Sequence, residues 1–481
     1  MLGKRLLSCF VVLSFVAGAL SPLSGLTGVS YAAEGGSQEE QDTQGRWVTG
    51  EYHIHTTQSD DAQGKLQDVL DAAFEQNGLD WAALSEHLRM SGRDEEGNTL
   101  GSPIPVSKGI AIYQAPKIKE LQDAGKYAGK TIFSGFEWDM PTYDHVSVGI
   151  ITDAPGSPAA LKAINQFEYL FSNRDASLFD PADVAAWNAA DQRAYSTASD
   201  ARQAFRWLAA NYPDSYALFN HPSRKNGTSA ELKVQDIRDM NNIAPRVAFG
   251  FEGIPGNQMA PDRGETVDIY GGADIRIAKV GGMWDALLGE GRKFWNFGNS
   301  DFHFKISSDR KYSSGYWPGE YSKNYTWVEG SDMKSIVEGM RSGKSFSATG
   351  DLINALDFSI HSNGSMKEMG GELEVAAGDE MELKIRFKSP NQNNNGDPVQ
   401  VDHVDLIVGN VTGPTEPGTA AYNKATNDTT KVLKRFTSAD WVTDADGYNT
   451  ITYPIDSASE NQYFRLRGTN LGTDVPGETS N

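Results

Sequence analysis

Short apolar runs alternate with amphipathic segments over residues 47–355, and this alternation constrains the fold more than any other feature of the chain. Residues 66–76 and 200–211 place apolar side chains at the 3.6-residue period of a helix. The apolar runs have the length of strands and cover residues 50–55, 81–85, 131–136, 217–220, 247–251 and 294–298. Repeated strand-then-helix units are typical of a parallel sheet or barrel. The sequence therefore predicts an α/β domain over residues 47–355.

Beyond residue 355 the hydrophobic pattern changes to a period of two. Within residues 381–388, apolar and charged side chains alternate at every position, as expected of a half-buried strand. Connections at 391–398 and 413–418 are rich in Asn, Gly and Pro. A chain of 481 residues also exceeds the usual size of one hydrophobic core. We therefore predict a small all-β sandwich as an accessory domain over residues 356–481.

Residues 1–33 have the layout of a secretory signal peptide. A basic start is followed by an apolar stretch over residues 6–20 and a small-residue cleavage site over residues 30–33. Residues 34–46 are polar and read as a flexible leader. The predicted location is therefore outside the cytoplasm, whether extracellular, periplasmic or at the cell surface. Lipid attachment at Cys9 is the lesser alternative, because no small-residue lipobox precedes it.

Cysteine usage and charge narrow the possible partners. Cys9 is the single cysteine and would leave with the signal, so a metal site in the mature chain must use nitrogen and oxygen ligands. No later run approaches the roughly 20 apolar residues of a membrane-spanning helix. The net charge of −21 argues against a dedicated nucleic-acid surface. A small phosphorylated substrate remains compatible, because bound cations reverse the local potential. The sequence does not indicate an oligomeric state.

The chain has eight histidines, and most of them lie beside the strand-like runs of residues 47–355. His53 and His55 stand two apart in one run, so they project from the same face and can bind one ion together. Asp60 follows five residues later. Similar candidates stand at the ends or starts of later runs: His87, Glu137, His145, His221, Asp301 and His303. One such residue alone is better explained by a core or capping role, but their recurrence at strand ends favours a metal cluster.

In order along the chain, these residues read H-x-H, D, H, E, H, H, D-x-H, and the order resembles that of the polymerase and histidinol phosphatase family, the PHP domain. The resemblance covers residues 47–355. It implies a distorted barrel of about seven β/α units, a (β/α)7 fold, with a metal cluster at the carboxyl ends of the strands. It also implies an enzyme that uses two to three divalent transition metals.

The resemblance further implies three ligand sets. The first metal would be bound by His53, His55, Glu137 and Asp301. The second would be bound by Asp60, His87 and His303. The third would be bound by His145 and His221, with Glu137 bridging to the first. Glu137 and Asp301 are thus the carboxylates expected at the reaction centre.

The chain departs from the family at two points. Glu86 precedes His87 where relatives commonly have Asp, which leaves the ligand in place but changes a neighbouring carboxylate. Residues 88–130 and 152–216 are longer than a minimal domain needs, so the loops that shape the substrate site are expected to differ.

Cations near the cluster are candidates for substrate contact. Arg224 with Lys225, just after His221, is the best-placed pair, and Arg263 is the second choice. The alternative for each is a solvated loop residue. His361 and His403 belong to the β region and are expected to be exposed or hydrogen-bonded surface histidines.

A secreted metal-dependent phosphoesterase is the leading prediction, either a phosphomonoesterase or a phosphodiesterase that uses a di- or trinuclear metal-activated hydroxide. Zn, Mn and Fe all suit imidazole and carboxylate ligands. One alternative is a hydrolase of the same fold that cuts a C–N or carboxylic ester bond. Another is a non-catalytic, metal-stabilised binding protein. We also expect the β region to be dispensable for the chemistry.

Overall fold

The computed structural model describes residues 5–9, 14–15, 45–256, 266–267, 272–304, 316–455 and 460–473. Arg263 lies outside these residues. The helices are α1 (Leu66–Asp71), α2 (Val106–Gly109), α3 (Ala115–Asp123), α4 (Pro158–Phe171), α5 (Pro181–Ala190), α6 (Ala198–Asn211), α7 (Val234–Ile243), α8 (Ile275–Ala278), α9 (Met283–Leu288) and α10 (Met333–Ser342). Shorter helical turns span Ala72–Gln76, Ile110–Gln114, Ala176–Leu178 and Ala421–Asn423.

The strands of the first part of the chain are β1 (Arg5–Cys9), β2 (Ser14–Phe15), β3 (Arg46–Ile54), β4 (Trp81–His87), β5 (Met90–Arg93), β6 (Thr99–Pro105), β7 (Thr131–Asp139), β8 (His145–Gly149), β9 (Tyr216–Phe219), β10 (Gly250–Pro255), β11 (Thr266–Val267), β12 (Ala273–Asp274), β13 (Trp295–Asn299), β14 (Ser322–Val328) and β15 (Ser345–Thr349). The later strands are β16 (Ala355–Ser362), β17 (Ser365–Glu368), β18 (Glu372–Val375), β19 (Met381–Lys388), β20 (His403–Asn410), β21 (Lys431–Thr437), β22 (Val442–Thr443), β23 (Asn449–Ile455) and β24 (Gln462–Thr469).

One mixed sheet organises the first part of the chain, with the order β13-β10-β9-β8-β7-β4-β3-β14-β15-β2. Strands β3, β4 and β7 are parallel neighbours, and so are β9, β10 and β13. Strand β8 is antiparallel to both β7 and β9. The predicted α/β class is confirmed. A regular (β/α)7 alternation is not established, because only the short turn at residues 140–144 joins β7 to β8, which then reverses direction.

The sheet curves until its β13 edge meets β3, and side chains bridge the seam. Ile54 and Phe302 form an isolated parallel bridge, and the His55 amide donates to the Phe302 carbonyl at 3.0 Å. The Asn324 side chain donates to the carbonyls of Gly50 and Gly298, at 3.1 and 2.6 Å. These bonds satisfy backbone groups that no continuous ladder reaches. The result is a nearly closed barrel with the carboxyl ends of its parallel strands at one mouth.

Large aromatic side chains fill the barrel interior. Tyr52 packs against Tyr216 and Phe297, with ring centroids 5.6 and 5.7 Å apart. Trp81 is fully buried across Gly50, where an added Cβ would lie 2.3 Å from the indole ring. Glycine at position 50 of β3 therefore leaves the space that the Trp81 side chain of β4 occupies in the barrel interior. Burial of each such side chain stabilises the fold by roughly 1.5–3 kcal/mol.

The strands beyond residue 355, together with β1, form two further five-stranded sheets, with the orders β18-β1-β24-β20-β21 and β17-β16-β19-β23-β22. Their inner faces share one hydrophobic core that contains Phe358 and Ile385 from one sheet and Leu406 and Phe464 from the other. Strand β19 alternates buried and partly exposed side chains over residues 381–388, as predicted.

The same core also contains Tyr325 and Phe346 of the barrel sheet, so the two parts pack together. Within the part of the chain that is described, no helix combines the length and the apolar character needed to cross a membrane. The assignment of residues 1–33 as a signal peptide stays a prediction.

Candidate metal centre

The strand ends bring the predicted ligands to one mouth of the barrel. His53 and His55 end β3 and start the loop after it, His87 closes β4, and Glu137 lies near the end of β7. His145 opens β8 rather than ending a strand. Because β8 is antiparallel to β7, its first residue pairs with Asp139 and lies at the same edge. The turn after β9 adds His221, and the segment after β13 adds Asp301 and His303.

The first group contains His53, His55, Glu137 and Asp301. Nε2 of His53 lies 3.1 Å from the Nε2 atom of His55 and 3.1 Å from both Glu137 Oε1 and Asp301 Oδ1. Nε2 of His55 lies 3.4 Å from Glu137 Oε2 and 3.3 Å from Asp301 Oδ1. A tetrahedral ion with bonds near 2.1 Å separates its ligand atoms by about 3.4 Å. His53 and His55 therefore have the spacing of a metal site with Glu137, and Asp301 Oδ1 lies at a similar distance from both rings.

The second group contains His87 and His303, and the structure adds Asp61. Asp61 Oδ1 lies 3.4 Å from Nε2 of each ring. Asp60, the residue predicted for this position, places Oδ1 3.3 Å from Nη1 of Arg89, although its carboxylate also lies within 4.8 Å of the ligand atoms of Asp61 and His87. The ligand role of Asp60 stays a prediction, and Asp61 is a candidate that the sequence analysis missed.

The third group contains His145 and His221. Nδ1 of His145 and Nε2 of His221 lie 2.9 and 3.3 Å from Glu137 Oε1. Each ring has an aspartate at its other nitrogen. Asp139 Oδ1 lies 3.0 Å from His145 Nε2, and Asp144 Oδ2 lies 3.3 Å from His221 Nδ1. Such carboxylates fix the orientation of metal-binding imidazoles.

Glu137 is the centre of the arrangement. It is 1% exposed, and its two oxygens lie 2.9–3.4 Å from nitrogens of five histidines: His53, His55, His87, His145 and His221. Burial alone would raise the pKa of this carboxyl, but the surrounding histidines, His145 first among them, lower it well below the ordinary value. The lowered pKa favours the ionised carboxylate, which is the form that could hold a metal ion. The Asn220 amide donates to its Oε1 at 2.8 Å and holds it in place.

Two ligands occupy strained backbone conformations. His221 has φ of 27° and Asp301 has φ of 46°, values that non-glycine residues rarely adopt. Such strain costs on the order of 1–3 kcal/mol and persists where surrounding contacts enforce it. Two buried glutamates supply such contacts. Glu252 Oε2 accepts the His221 amide at 3.0 Å, and Glu51 accepts both the amide and the hydroxyl of Ser300, the residue before Asp301. Burial also raises the pKa of Glu51 to about 8.

A second layer of buried groups orients the imidazoles. His53 Nδ1 lies 2.8 Å from Glu252 Oε1, within donating distance. His55 Nδ1 lies 2.9 Å from Ser59 Oγ, which donates to Glu86 Oε2 at 2.7 Å. Protons on these two Nδ1 atoms leave the Nε2 lone pairs facing the cluster. Glu86, which departs from the family pattern, thus anchors the loop that follows β3.

Glu252 was missed by the sequence analysis, although a signal for it exists. It ends the run Gly250-Phe251-Glu252 in β10, which repeats Gly135-Phe136-Glu137 at the end of β7. Two strands of one barrel therefore each deliver a carboxylate to the mouth. Glu137 contacts the candidate ligand atoms, and Glu252 contacts Nδ1 of His53, on the side of the ring that faces away from the cluster.

Arg224 lies at the mouth, but its guanidinium is hydrogen-bonded to Asp144. Nε donates to Oδ2 at 2.8 Å, and Nη2 donates to Oδ1. Arg89 makes the equivalent two-pronged bond to Asp139, at 2.8 and 2.7 Å, and its side chain is 34% exposed. Lys225 lies in the turn after His221. Arg89, which the sequence analysis did not single out, is therefore the more exposed of the two paired cations at the mouth.

The donor set fits divalent metal ions. Histidine nitrogens and carboxylate oxygens converge at 2.9–3.4 Å, and the side chains of Glu137 and Asp301 are at most 2% exposed. Lone pairs brought this close in a buried pocket need positive charge between them.

The two other histidines lie in the β region. His361 Nε2 is 2.8 Å from Ser359 Oγ, as expected of a hydrogen-bonded histidine. The expected surface position is wrong for His403, which is buried because β20 lies between β24 and β21, and its Nδ1 is 2.7 Å from Asp402 Oδ1.

No family model and no curated protein matches the chain. Among solved structures it is similar to a two-domain protein from Bacteroides vulgatus described as containing a predicted PHP-like metal-dependent phosphoesterase. That similarity has 11% identity, covers 91% of this chain and 93% of the other, and has a TM-score of 0.37. PsfC from Pseudomonas syringae is similar at 14% identity over 63% of this chain and 91% of its own, with a TM-score of 0.31. With both scores below 0.5, neither structure assigns a residue or an activity here.

Fold and site together define a class: a mixed α/β protein whose nearly closed barrel carries buried histidine and carboxylate groups able to hold metal ions.

Proposed function

We propose that this chain is a secreted, metal-dependent hydrolase of phosphate esters. The observation that carries the proposal is the position of Glu137, buried at the barrel mouth within 3.4 Å of five imidazole rings. A structural metal site is normally closed by four ligands. Here one carboxylate links several candidate sites at a strand-end mouth, which is the arrangement that multinuclear hydrolases use. The signal pattern in residues 1–33 supports secretion.

His53, His55, Glu137 and Asp301 would hold one ion, and His87, His303 and Asp61 would hold a second. When bound, such ions supply Lewis acidity toward a phosphoryl oxygen and lower the pKa of a water molecule. Zn, Mn and Fe suit this donor set.

The protein's own residues prepare the site. Glu252 and the Ser59–Glu86 pair hold the rings of His53 and His55 with Nε2 inward. Arg89, at the rim and one-third exposed, keeps a permanent positive charge at the mouth while it bonds to Asp139. This charge favours anionic phosphate esters over neutral carbon electrophiles.

A substrate panel tests the proposal. The full-length protein, loaded with Mn or Zn, is assayed on p-nitrophenyl phosphate, bis-p-nitrophenyl phosphate and p-nitrophenyl acetate. We expect turnover of at least one phosphate ester, abolished by chelator and by Asp301→Asn. Turnover confined to the carboxylic ester would instead indicate the carbon-centred hydrolase. Tight metal binding without turnover of any substrate would favour a binding protein.

A further inference from the structure

A buried side-chain amide connects β7 to Glu86, the carboxylate behind the first metal group. Gln114, the last residue of the helical turn Ile110–Gln114, is fully buried. Its Oε1 accepts the hydroxyl of Ser134 in β7 at 2.5 Å, and its Nε2 donates to Glu86 Oε1 at 3.1 Å and to Gln58 Oε1 at 3.3 Å. The reversed amide would set its oxygen against these two oxygens. The contacts therefore fix Gln114 as a donor to Glu86.

Neutral donors surround the carboxylate of Glu86, which is fully buried. Thr56 Oγ1 and Gln114 Nε2 donate to Oε1, at 2.5 and 3.1 Å. The Thr56 amide and the Ser59 hydroxyl donate to Oε2, at 3.1 and 2.7 Å. Four hydrogens at two oxygens suit an ionised carboxyl group, which has no proton of its own to donate. Loss of one donor would leave part of a buried charge without compensation.

Ser59 links Glu86 to a candidate metal ligand. Its hydroxyl has one proton, which goes to Glu86, and its oxygen accepts the His87 amide at 3.0 Å. Toward His55 Nδ1, at 2.9 Å, the oxygen can therefore only accept. His55 then has its proton on Nδ1 and its lone pair on Nε2, the atom on the side of the cluster. The hydrogen bonds from Gln114 to this ring thus run in one direction.

We propose that Gln114 is a positioning residue for His55. By donating to Glu86, it keeps that carboxylate an acceptor for Ser59, and Ser59 in turn sets the tautomer of His55. The helical turn that ends at Gln114 is thereby coupled to the metal centre. This inference rests on the proposed function only in requiring that His55 binds a metal ion, and it does not require turnover of any substrate.

Metal affinity separates positioning from a purely structural role. Gln114→Met keeps an unbranched side chain of similar length and removes both the donor and the acceptor. The matched control is Asn241→Leu, which removes another buried amide, one that contacts the Ala248 carbonyl and Arg292. The full-length variants are titrated with Zn against a chelator of known affinity. We expect Gln114→Met to weaken Zn binding by about 10-fold or more, as is typical of residues behind a ligand, and Asn241→Leu to leave it unchanged.

The same proteins loaded with Co(II) give a spectroscopic signature. The visible absorption of bound Co(II) depends on its ligands and their geometry, so it should change in Gln114→Met and not in Asn241→Leu. Wild-type affinity or a wild-type spectrum in Gln114→Met would overturn the inference, even if urea unfolding showed a loss of stability in that variant.

A double variant tests the route through Ser59. Ser59→Ala removes the hydroxyl that contacts His55, so adding Gln114→Met to it should cost little further affinity. Losses of affinity that add would overturn this route. If Gln114→Met does not fold, Ser134→Ala takes its place, because it removes the donor that orients the Gln114 amide. We expect weaker Zn binding in Ser134→Ala as well, and wild-type affinity there would overturn the inference.

The outcomes distinguish this inference from the proposed function. The expected losses of affinity without turnover of any phosphate ester would retain the inference and reject the phosphoesterase. Turnover in a protein whose metal affinity does not respond to Gln114→Met would do the reverse. A wild type that binds no metal would reject both.

Discussion

Glu252 Oε1 lies 2.8 Å from Nδ1 of His53, and both side chains are completely buried. The same carboxylate accepts the amide of His221 and the side-chain amide of Asn299, at 3.0 Å each. Glu252 touches no proposed ligand atom, yet it sets the tautomer of one ligand and the backbone of another. It is therefore a positioning residue for the cluster.

We expect Glu252→Gln to weaken metal binding by about 10–100-fold, the range typical of residues behind a ligand. The amide keeps the volume but no longer favours a proton on His53 Nδ1. Competition with a chelator of known affinity measures the change, with Glu168→Gln, a buried carboxylate that contacts Ser107 and Arg174, as the control. Unchanged affinity in Glu252→Gln would mean that His53 is oriented by other contacts.

Glu137→Gln should be the most damaging single ligand change. It retains one oxygen but removes the charge that compensates two dications, so turnover should fall by more than about 100-fold and metal content should drop. His145→Asn should cost less turnover, because His145 is one of five rings around Glu137, whereas the loss of Glu137 affects all five. Parallel measurements of metal content and kcat on both variants make the comparison. Near-normal turnover and full metal in Glu137→Gln would show that the bridging ligand is another residue.

Asp60 and Asp61 form a matched pair of adjacent residues. Asp61 lies between the rings of His87 and His303, whereas Asp60 is 50% exposed and faces Arg89. We expect Asp61→Asn to lose about one equivalent of metal and Asp60→Asn to lose none. Elemental analysis of the two variants decides between them. A larger loss in Asp60→Asn would make Asp60 the ligand, as the sequence predicts.

Arg465 of β24 binds Asp285 of α9 through two bonds of 2.7 Å, with both side chains at most 2% exposed. Arg465→Met leaves Asp285 buried without its cation, so we expect a loss of about 3–5 kcal/mol in the free energy of unfolding. The exposed Lys119–Asp123 pair of α3 supplies a control, for which Lys119→Met should change stability by less than about 1 kcal/mol. Urea unfolding measures both. If both variants lose less than about 1 kcal/mol in the free energy of unfolding, the Arg465–Asp285 pair does not stabilise the packing of the barrel against the sandwich.

The Arg465–Asp285 pair argues against the expectation that the β region is dispensable for the chemistry. A chain ending at residue 355 would lose Arg465 and expose Tyr325 and Phe346, which pack in the core of the sandwich. We therefore expect the shortened chain to be insoluble or metal-free, measured by expression and elemental analysis. A soluble, metal-loaded product would support independent folding of the barrel.

Asp405 should make stability depend on acid pH. Burial opposes its charged form, but Arg435 and Arg467 lower its pKa below the ordinary 3.8. A carboxyl with a depressed pKa in the folded state stabilises the protein above the unfolded-state value and loses that contribution as the pH falls below it. The stability gap between wild type and Asp405→Asn should thus be wide at pH 7 and narrow below about pH 4. Urea unfolding of both chelator-treated proteins tests this, and a constant gap would contradict it.

Local patterns in the sequence were sufficient for the fold class and for most of the candidate ligands. Alternation with period two placed His53 and His55 on one face of β3, and strand ends marked His87, Glu137 and Asp301, because both signals depend on the covalent spacing of neighbouring residues.

Two features of the site could be read only from the tertiary structure. One is which of two adjacent aspartates faces the histidine rings, and the other is which aspartate each arginine binds. Asp61 lies between two histidines, whereas the adjacent Asp60 faces Arg89, which follows β4. Arg224 binds Asp144, 80 residues away in the chain. Such contacts arise between charged groups from different strands, among them β8, which reverses direction and carries His145 to the mouth. No local pattern records them, because their energy depends on distances between residues that are far apart in the sequence.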